Sequence, residues 1–274
     1  MRAAVVGHVE RVWFATVDRF PRPGEIVHTA QTWEEAAGGG GVAAVQLARM
    51  GADVDFFTAL GDDDHGREAE RELTERGVRV HAARRPAPQR RAFTLLDSDA
   101  ERTIVVAGER HVPHADDPLP WDALGQAAGA YFTGGDAGAL AAARRAGVLV
   151  ATTRARGPLT GAGVPLDALV FSADDPSEAY APGDVDPPPA LVISTGGGRG
   201  GRWEAAEGRT GTWEAVPPPG PPVDAYGCGD TFAAALTGAL ARGDELDVAL
   251  AFAARAGATC LAGRGPFGAA LESL

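Results

Sequence analysis

The chain has 274 residues, of which 45% are hydrophobic and 23% are charged, and its formal net charge is −12. This length suits one large α/β domain, or a core with a small appendage. The acidic balance argues against a general nucleic-acid binder, which needs a basic surface, but it leaves nucleotide binding open. Every strongly basic residue is arginine, so a Walker lysine and a Schiff-base lysine are both excluded.

Cysteine content and hydropathy narrow the class further. The two cysteines, Cys228 and Cys260, have no spacing typical of a disulfide framework or a zinc site. The N-terminus enters a strand-like run without a signal-peptide pattern, and no apolar run reaches membrane-spanning length. We therefore expect a cytoplasmic protein with no membrane partner.

The first predicted element is a buried strand at Ala3–Val6, which Gly7 ends. Glu10 follows shortly after it. Ligands of open parallel sheets bind at the carboxyl ends of the strands, so Glu10 is a candidate substrate contact. A solvated loop acid is an equally good interpretation from position alone.

Two pairs of β-rich segments interrupt the chain without an intervening helix. The first pair is Val12–Val17 and Ile26–Trp33, and the second is Arg91–Leu96 and Arg102–Val106, around a turn at residues 97–100. Because neither pair fits a βαβ repeat, we expect a small sheet that projects from the core as a lid. Its segments are about 8–36 and 88–107.

Arg102 opens the last of these segments. A guanidinium there is a candidate contact for a phosphate or a sugar, and an ordinary surface arginine is the alternative.

A glycine-rich stretch, Gly38–Gly41, precedes an apolar helical pattern that Gly51 is expected to end. Glycine allows the backbone to approach a ligand closely. A flexible linker is the alternative, but a linker rarely leads directly into so apolar a helix.

The pattern next predicts a core strand at Asp53–Leu60 and a helix at Arg67–Arg76, with Gly77 as its cap. The acids at positions 62–64 could suggest a metal site. An acidic first helical turn is the commoner reason for such a triplet, and we favour it.

From residue 128 onward the pattern alternates between strands and helical stretches, which predicts a parallel sheet with right-handed crossovers. The predicted strands are Tyr131–Phe132, Val148–Ala151, Leu169–Phe171 and Leu191–Ser194.

Two polar or glycine-rich turns follow the later strands. Asp175 and Glu178 come after the third of them, where two acids could orient a Mg²⁺–water shell. Asp175 also suits a helix N-cap, and both roles can hold together. The second turn, Thr195–Gly201, is a glycine-rich turn at the same edge of the sheet, with a plain hairpin as the alternative.

The most informative stretch is residues 224–232. Gly227 and Gly229 flank Cys228, Asp230 follows, and an apolar helical pattern then begins. A helix start offers unpaired N–H groups and a dipole that favours an anion. A carboxylate in the same turn would repel a resting phosphate, but it could take the proton from an attacking hydroxyl. The pattern indicates a phosphotransferase, with an ordinary glycine turn as the alternative.

Together these motifs resemble the ribokinase-like (PfkB) carbohydrate kinase family along nearly the whole chain. The matching stretches are Asp224–Asp230, Gly38–Gly51, Asp175–Glu178 and Thr195–Gly200. The resemblance implies one domain over 1–274, an α/β three-layer αβα sandwich with a mostly parallel central sheet and a small β-sheet lid.

The resemblance also implies roles for individual residues. Asp230 would be the catalytic base, with Gly227, Cys228 and Gly229 supplying anion-hole amides. Gly38 and Gly39 would face the substrate. Thr195, Gly197, Gly200 and Asp224 would serve the nucleotide, and Glu178 with Asp175 would lie near Mg²⁺. The implied cofactors are ATP, Mg²⁺ and a monovalent cation such as K⁺, and the lid's outer face would form a homodimer.

The positions that read the substrate depart from the family pattern. Glu10, Val12 and Val42 stand where the family carries Asn or Asp. Elsewhere, Asp175 replaces the Asn of the family's Mg²⁺ element, and Ala225 and Tyr226 replace the two threonines of its anion loop. We therefore infer the reaction class and leave the acceptor open.

Three alternatives remain at the sequence level. A nucleoside could be the acceptor, or the chain could be a non-catalytic sugar or nucleotide sensor. A dinucleotide-dependent oxidoreductase is disfavoured, because no Gly-x-Gly-x-x-Gly follows the first strand.

Overall fold

The computed structural model describes residues 1–98 and 100–271. Its strands are β1 (Arg2–Val6), β2 (Glu10–Thr16), β3 (Gln31–Ala37), β4 (Asp53–Gly61), β5 (Val78–Arg85), β6 (Arg91–Leu96), β7 (Arg102–Ala107), β8 (Gly129–Phe132), β9 (Val148–Thr152), β10 (Ala168–Ser172), β11 (Leu191–Thr195), β12 (Gly201–Ala205) and β13 (Thr210–Trp213). Its α-helices are α1 (Gly38–Arg49), α2 (Asp64–Glu75), α3 (Ala137–Ala143), α4 (Arg156–Leu159), α5 (Cys228–Arg242) and α6 (Leu246–Leu261).

The larger sheet has the strand order β13-β12-β11-β10-β9-β8-β1-β4-β5. In this order, every neighbouring pair from β11 across to β5 is parallel. β12 and β13 extend the sheet beyond β11 in antiparallel pairing. The carboxyl ends of the parallel strands therefore share one edge, where ligands of such sheets bind.

Both faces of this sheet are buried under helices. Along β1, Val5 packs into one apolar cluster with α1, α2, α5 and α6, whereas Val6 packs into the other cluster with α3 and α4. Adjacent side chains of a strand point to opposite faces, so this alternation defines the predicted three layers. The continuous apolar run at the start of the sequence reflects burial on both sides.

The smaller sheet is the lid, in the order β3-β2-β6-β7. β2 pairs antiparallel with β3 and parallel with β6, and β6 pairs antiparallel with β7. The two predicted hairpins and their joining into one lid are confirmed. Each of the four strands has one end that connects to the core, and the register places these four ends on the same side of the lid.

Several predicted boundaries were wrong. The second lid strand begins at Gln31, and Ile26 lies in the preceding loop with 88% of its surface exposed. The glycines from Gly38 form the first turn of α1, where the sequence predicted a loop. Helix α2 starts earlier, at Asp64, because the Asp63 side chain accepts a hydrogen bond from the Gly66 amide.

The sequence patterns also missed β5, covered β12 and β13 only through the alternative of a plain hairpin, and overestimated the helices. β5 carries charged residues on its exposed side, which weakened its apolar signal. Between β10 and β11 the described chain forms one short 3₁₀ turn, Pro176–Glu178, and no α-helix.

The described residues contain no helix with the length and apolarity needed to cross a bilayer. Asp99, which belongs to the predicted turn at 97–100, lies outside the described residues. Residues 272–274 of the predicted domain also lie outside them.

Candidate active site

The candidate site lies where several strands of the large sheet end and two helices begin. β1 leads to His8, β8 to Thr133, and β9 to Arg154. Helices α1 and α5 start at the same edge. A Cβ added at Gly39 would lie 3.0 Å from Asp230 Oδ1 and 2.8 Å from Thr133 Oγ1. The structure therefore brings together Gly39 and Asp230, which lie 191 positions apart in the numbering.

Asp224 anchors the loop before α5. It is completely buried, and its two carboxylate oxygens accept hydrogen bonds from the amides of Tyr226 (2.8 Å) and Gly265 (2.9 Å). Burial raises the pKa of Asp224, and these two amides oppose that shift. The predicted nucleotide contact is thus corrected: the carboxylate is held inside the protein and shapes the loop.

Gly227 allows the sharp entry into α5. Its φ is +81°, and an added Cβ would lie 2.8 Å from Pro266 Cβ and 3.1 Å from Val42 Cγ1. Only glycine adopts this conformation without strain in so confined a place.

The amides that follow Gly227 are partly open. Cys228 N–H makes a long contact of 3.5 Å with the Ala225 carbonyl, whereas no acceptor within the described residues bonds the N–H groups of Gly229 or Asp230. Such a helix start can receive an anion.

Asp230 lies in the first turn of α5 and is partly exposed. Burial raises its pKa, and the nearby positive charge of Arg154 opposes the rise, whereas Glu178 reinforces it. A carboxylate with a raised pKa is a better proton acceptor than an ordinary aspartate.

Arg154 is a site residue that the sequence analysis missed. Its Nε donates to Glu178 Oε1 at 2.5 Å, and its side chain is 47% exposed. Burial lowers the pKa of Arg154, but the carboxylates of Asp230 and Glu178 outweigh this effect and raise it. Its place directly after a predicted strand was the available signal.

The predicted magnesium residues do not form a ready ligand set. Glu178 Oε1 is bound to Arg154, and Oε2 accepts from the Ser172 amide at 2.9 Å. Asp175 Oδ1 caps its own turn through the amide and hydroxyl of Ser177. Among the residues that are described, no group of three His, Cys, Asp or Glu side chains could hold a metal. Both carboxylates are therefore engaged in protein contacts, and the Mg²⁺–water shell beside Asp175 and Glu178 stays a prediction.

A second group of residues lies on the lid side of Asp230. Glu10 is buried at the start of β2, and its Oε1 lies 2.7 Å from Arg90 Nε and 3.8 Å from His8 Nε2. An added Cβ at Gly38 would lie 3.2 Å from Glu10 Cγ. Glu10 and Gly38 are thus adjacent, as predicted, but the sequence did not indicate the partners Arg90 and His8.

Tyr226 connects the two halves of the site. Its hydroxyl accepts a hydrogen bond from the Gly38 amide at 3.3 Å, and its ring contacts Phe14 of the lid edge-on. Burial raises its pKa, so the phenol stays protonated.

A cavity of about 690 Å³ lies on the other side of the α5 start. Thr195, Gly197 and Gly229 line it, and Trp213 stacks on Phe232 in its wall. Gly200 is not among the lining residues. Its φ is +78° and an added Cβ would lie 2.1 Å from the Trp213 carbonyl oxygen, so it shapes the hairpin between β11 and β12.

Arg102 reaches this side of the site from the lid. Its Nη1 donates to the Ala225 carbonyl at 3.1 Å, and the neighbouring Glu101 lines the cavity. The structure therefore places Arg102 against the loop before α5, away from Glu10.

The fold and the site together define a class: a three-layer α/β protein with a β lid, in which the residues that open α5 line a cavity and a carboxylate follows them in the same turn. A family model for the pfkB family of carbohydrate kinases matches residues 2–157 and 174–270. The chain belongs to this family.

Individual relatives are more distant. Ribokinase from Arabidopsis thaliana, solved with ribose and ATP, superposes with a TM-score of 0.74 at 20% identity, covering 96% of this chain and 93% of that one. A nucleoside kinase from Burkholderia thailandensis, solved with inosine, gives 0.75 at 17% identity, covering 98% and 94%. These two similarities show the shared fold.

One curated relative is similar over a short stretch. The bifunctional protein HldE of Methylococcus capsulatus is 36% identical over 89 residues. The match spans 31% of this chain and 19% of that protein.

Proposed function

We propose that the chain is an ATP-dependent kinase that phosphorylates a hydroxyl of a small carbohydrate-like acceptor. The observation that carries this proposal is the position of Asp230: its carboxylate adjoins Gly39 on the acceptor side and shares the start of α5 with the open amides on the cavity side.

ATP suits the cavity on chemical grounds. Its apolar wall, with Trp213 and Phe232, can accept a base, and Thr195, Gly197 and Gly229 offer small polar or backbone contacts. The Arabidopsis ribokinase of the same fold was solved with ATP. We assign no Mg²⁺ or K⁺ ligand, so their need is left to assay.

The chemical step follows from this arrangement. The acceptor hydroxyl loses its proton to Asp230 as its oxygen bonds to the γ-phosphorus, and the bond from that phosphorus to the bridging oxygen breaks to release ADP. The amides of Gly227, Cys228 and Gly229 stabilise charge on the transferred group, the Cys228 amide only after release from Ala225. Arg154 adds a positive charge near the same place.

The test of the base is Asp230→Asn. Loss of a general base lowers kcat by about 10²–10⁴-fold, whereas nucleotide affinity, measured by calorimetry, should change little. Asp247→Asn is a matched control, because Asp247 lies in the first turn of the neighbouring helix α6 and is exposed. Near-normal turnover by Asp230→Asn would rule out the assigned role.

A nucleoside is the second candidate acceptor, since the Burkholderia enzyme of the same fold was solved with inosine. An ADP-release panel of sugars and nucleosides, with Mg²⁺ and with or without K⁺, separates the two. Nucleotide binding with no ADP from any acceptor would instead support a non-catalytic sensor.

A further inference from the structure

The four chain segments that cross between the core and the lid each deliver a residue to one pocket. Glu10 opens β2, Gly38 follows β3, Arg90 precedes β6, and Arg110 lies three residues beyond β7. They are adjacent in space: Arg90 Nε lies 2.7 Å from Glu10 Oε1, and an added Cβ at Gly108 would lie 3.5 Å from the Arg90 Cα.

Arg110 spans from this crossing to the edge of the large sheet. Its Nη1 donates to the carbonyl oxygen of Arg154 at 3.4 Å, just beyond the end of β9. Within the described residues Arg110 forms no ion pair, unlike Arg11, Arg85 and Arg154. The guanidinium therefore lies beside the end of β9 without an ion pair of its own, and the negative charges of Glu10 and Asp230 act on it.

Positive charge is concentrated around this pocket. Burial lowers the pKa of Arg110, and Arg90 and Arg154 lower it further, while Glu10 and Asp230 oppose the shift. The pKa of His8 is lowered well below its usual value by burial and then by Arg110, Arg90 and Arg154. His8 is thus neutral, and three guanidinium groups act on the same small volume.

The visible bonds leave much of this donor capacity unused. Arg90 Nε forms an ion pair with Glu10 Oε1 but has no hydrogen-bond partner, and no bond from the two Nη atoms of Arg90 is found in the described part of the chain. Unpaired guanidinium groups destabilise a folded chain unless a ligand compensates them, and their planar donor arrangement matches phosphate and carboxylate oxygens. Neither Arg90 nor Arg110 lines the cavity to which the nucleotide is assigned.

We propose that Arg110 and Arg90 bind an anionic group of the acceptor, so that the substrate is a sugar carrying a phosphate or a carboxylate in addition to the hydroxyl that Asp230 activates. This rests on the proposed kinase function and deepens it. Glu10 holds Arg90 in place, and Arg110 is the residue that discriminates anionic from neutral acceptors.

The first test is an ADP-release panel with three arms: neutral sugars and nucleosides, sugar monophosphates, and sugar acids. Either the sugar monophosphates or the sugar acids are expected to have a kcat/KM about 30-fold or more above that of the neutral acceptors. This is the scale of the loss when one partner of a buried charge pair is removed. The phosphate and carboxylate arms distinguish the two sources of negative charge. Preference for a neutral acceptor would overturn the inference and leave the kinase function standing. ADP from no acceptor would contradict the kinase function itself.

The second test is Arg110→Gln. It should raise KM for the anionic acceptor about 10-fold or more while kcat changes much less and calorimetric affinity for ADP is unchanged. Arg71→Gln, on the exposed face of α2, is the matched control. Unchanged KM, or an equal loss for neutral acceptors, would contradict the assignment.

A structural role for Arg110 is distinguished by stability. Because Arg110 is unpaired, Arg110→Gln should keep or raise the melting temperature of the ligand-free protein. With ADP saturating, ribose 5-phosphate or gluconate should stabilise the wild type more than the variant. A marked fall in melting temperature of the ligand-free variant, also seen for Arg110→Lys, would show that the arginine supports the fold and would overturn the proposal.

Discussion

The carboxyl group of Asp230 is subject to two opposing influences. Burial raises its pKa, and the positive charge of Arg154 lowers it. Because a general base must be ionised, the acidic limb of the kcat/KM profile should follow the pKa of Asp230. On the proposed mechanism Arg154 therefore has a second task besides its ion pair with Glu178: it would keep Asp230 ionised at lower pH.

Replacement of Arg154 by Gln removes this opposing charge. The pKa of Asp230 then rises, so the acidic limb of the profile should move to higher pH, and the loss of activity should be largest at low pH. Arg154→Lys, which keeps the charge, should leave the limb nearer its original place. The profile is measured by ADP release against pH. If both variants lose activity equally at every pH, Arg154 does not act through the ionisation of Asp230.

At the scale of elements, the lid docks on the core through β3. Glu35 of this strand lies against Gly265, where an added Cβ would be 2.4 Å from Glu35 Oε2, and its Oε1 lies 3.3 Å from Arg76 Nη2. Gly265 in turn donates its amide to Asp224 in the loop before α5. One chain of contacts thus connects the lid strand to the loop that precedes the catalytic turn.

The ionisation of Glu35 should make this docking depend on pH. Burial raises the pKa of Glu35 from 4.5 to about 7, reinforced by Glu72 and opposed by Arg76, Trp33 and Arg264. An acid whose pKa is higher in the folded protein than in the unfolded chain contributes its full stability at pH values below the unfolded-state pKa. That contribution is lost as the pH rises through the folded-state pKa. As the pH rises from the unfolded-state pKa of Glu35 to its folded-state pKa, the free energy of unfolding should therefore fall by up to about 3 kcal/mol because of this group.

Glu35→Gln should remove this dependence, so denaturant unfolding of the variant should change less across that window. Glu25→Gln is the control, because Glu25 is exposed and Arg19 lowers its pKa out of the window. Parallel pH profiles for wild type and Glu35→Gln would show that Glu35 does not titrate there.

At the scale of the whole molecule, the outer face of the lid is the most exposed apolar surface that we find in the described residues. All six residues of β7 are exposed, Val105 by 62%, and Phe93 beside it contacts the ring of Trp13. β7 is also a free sheet edge, a usual site of association. We expect two copies of the chain to pair through this face.

Val105→Glu should convert that dimer to a monomer, because it places a charge in the apolar contact. Light scattering after size exclusion gives the mass directly. Each copy carries a net charge of −12, so salt should strengthen pairing by screening the repulsion. A wild-type mass of one chain at micromolar concentration would contradict the expectation.

The sequence by itself determined the α/β class, the lid hairpins and the motif from Gly227 to Asp230, because these depend on local periodicity and on backbone conformations that glycine permits. The strand boundaries at Gln31 and the strand β5 escaped it, since partial exposure weakens a local apolar signal.

Only the tertiary structure decided which charges meet. It buried Asp224 in a backbone anchor, joined Glu178 to Arg154, and left Arg110 without a carboxylate beside Asp230. These outcomes depend on residues far apart in the chain being brought within a few ångströms, and on the loss of water around them. No pattern along the sequence records either quantity.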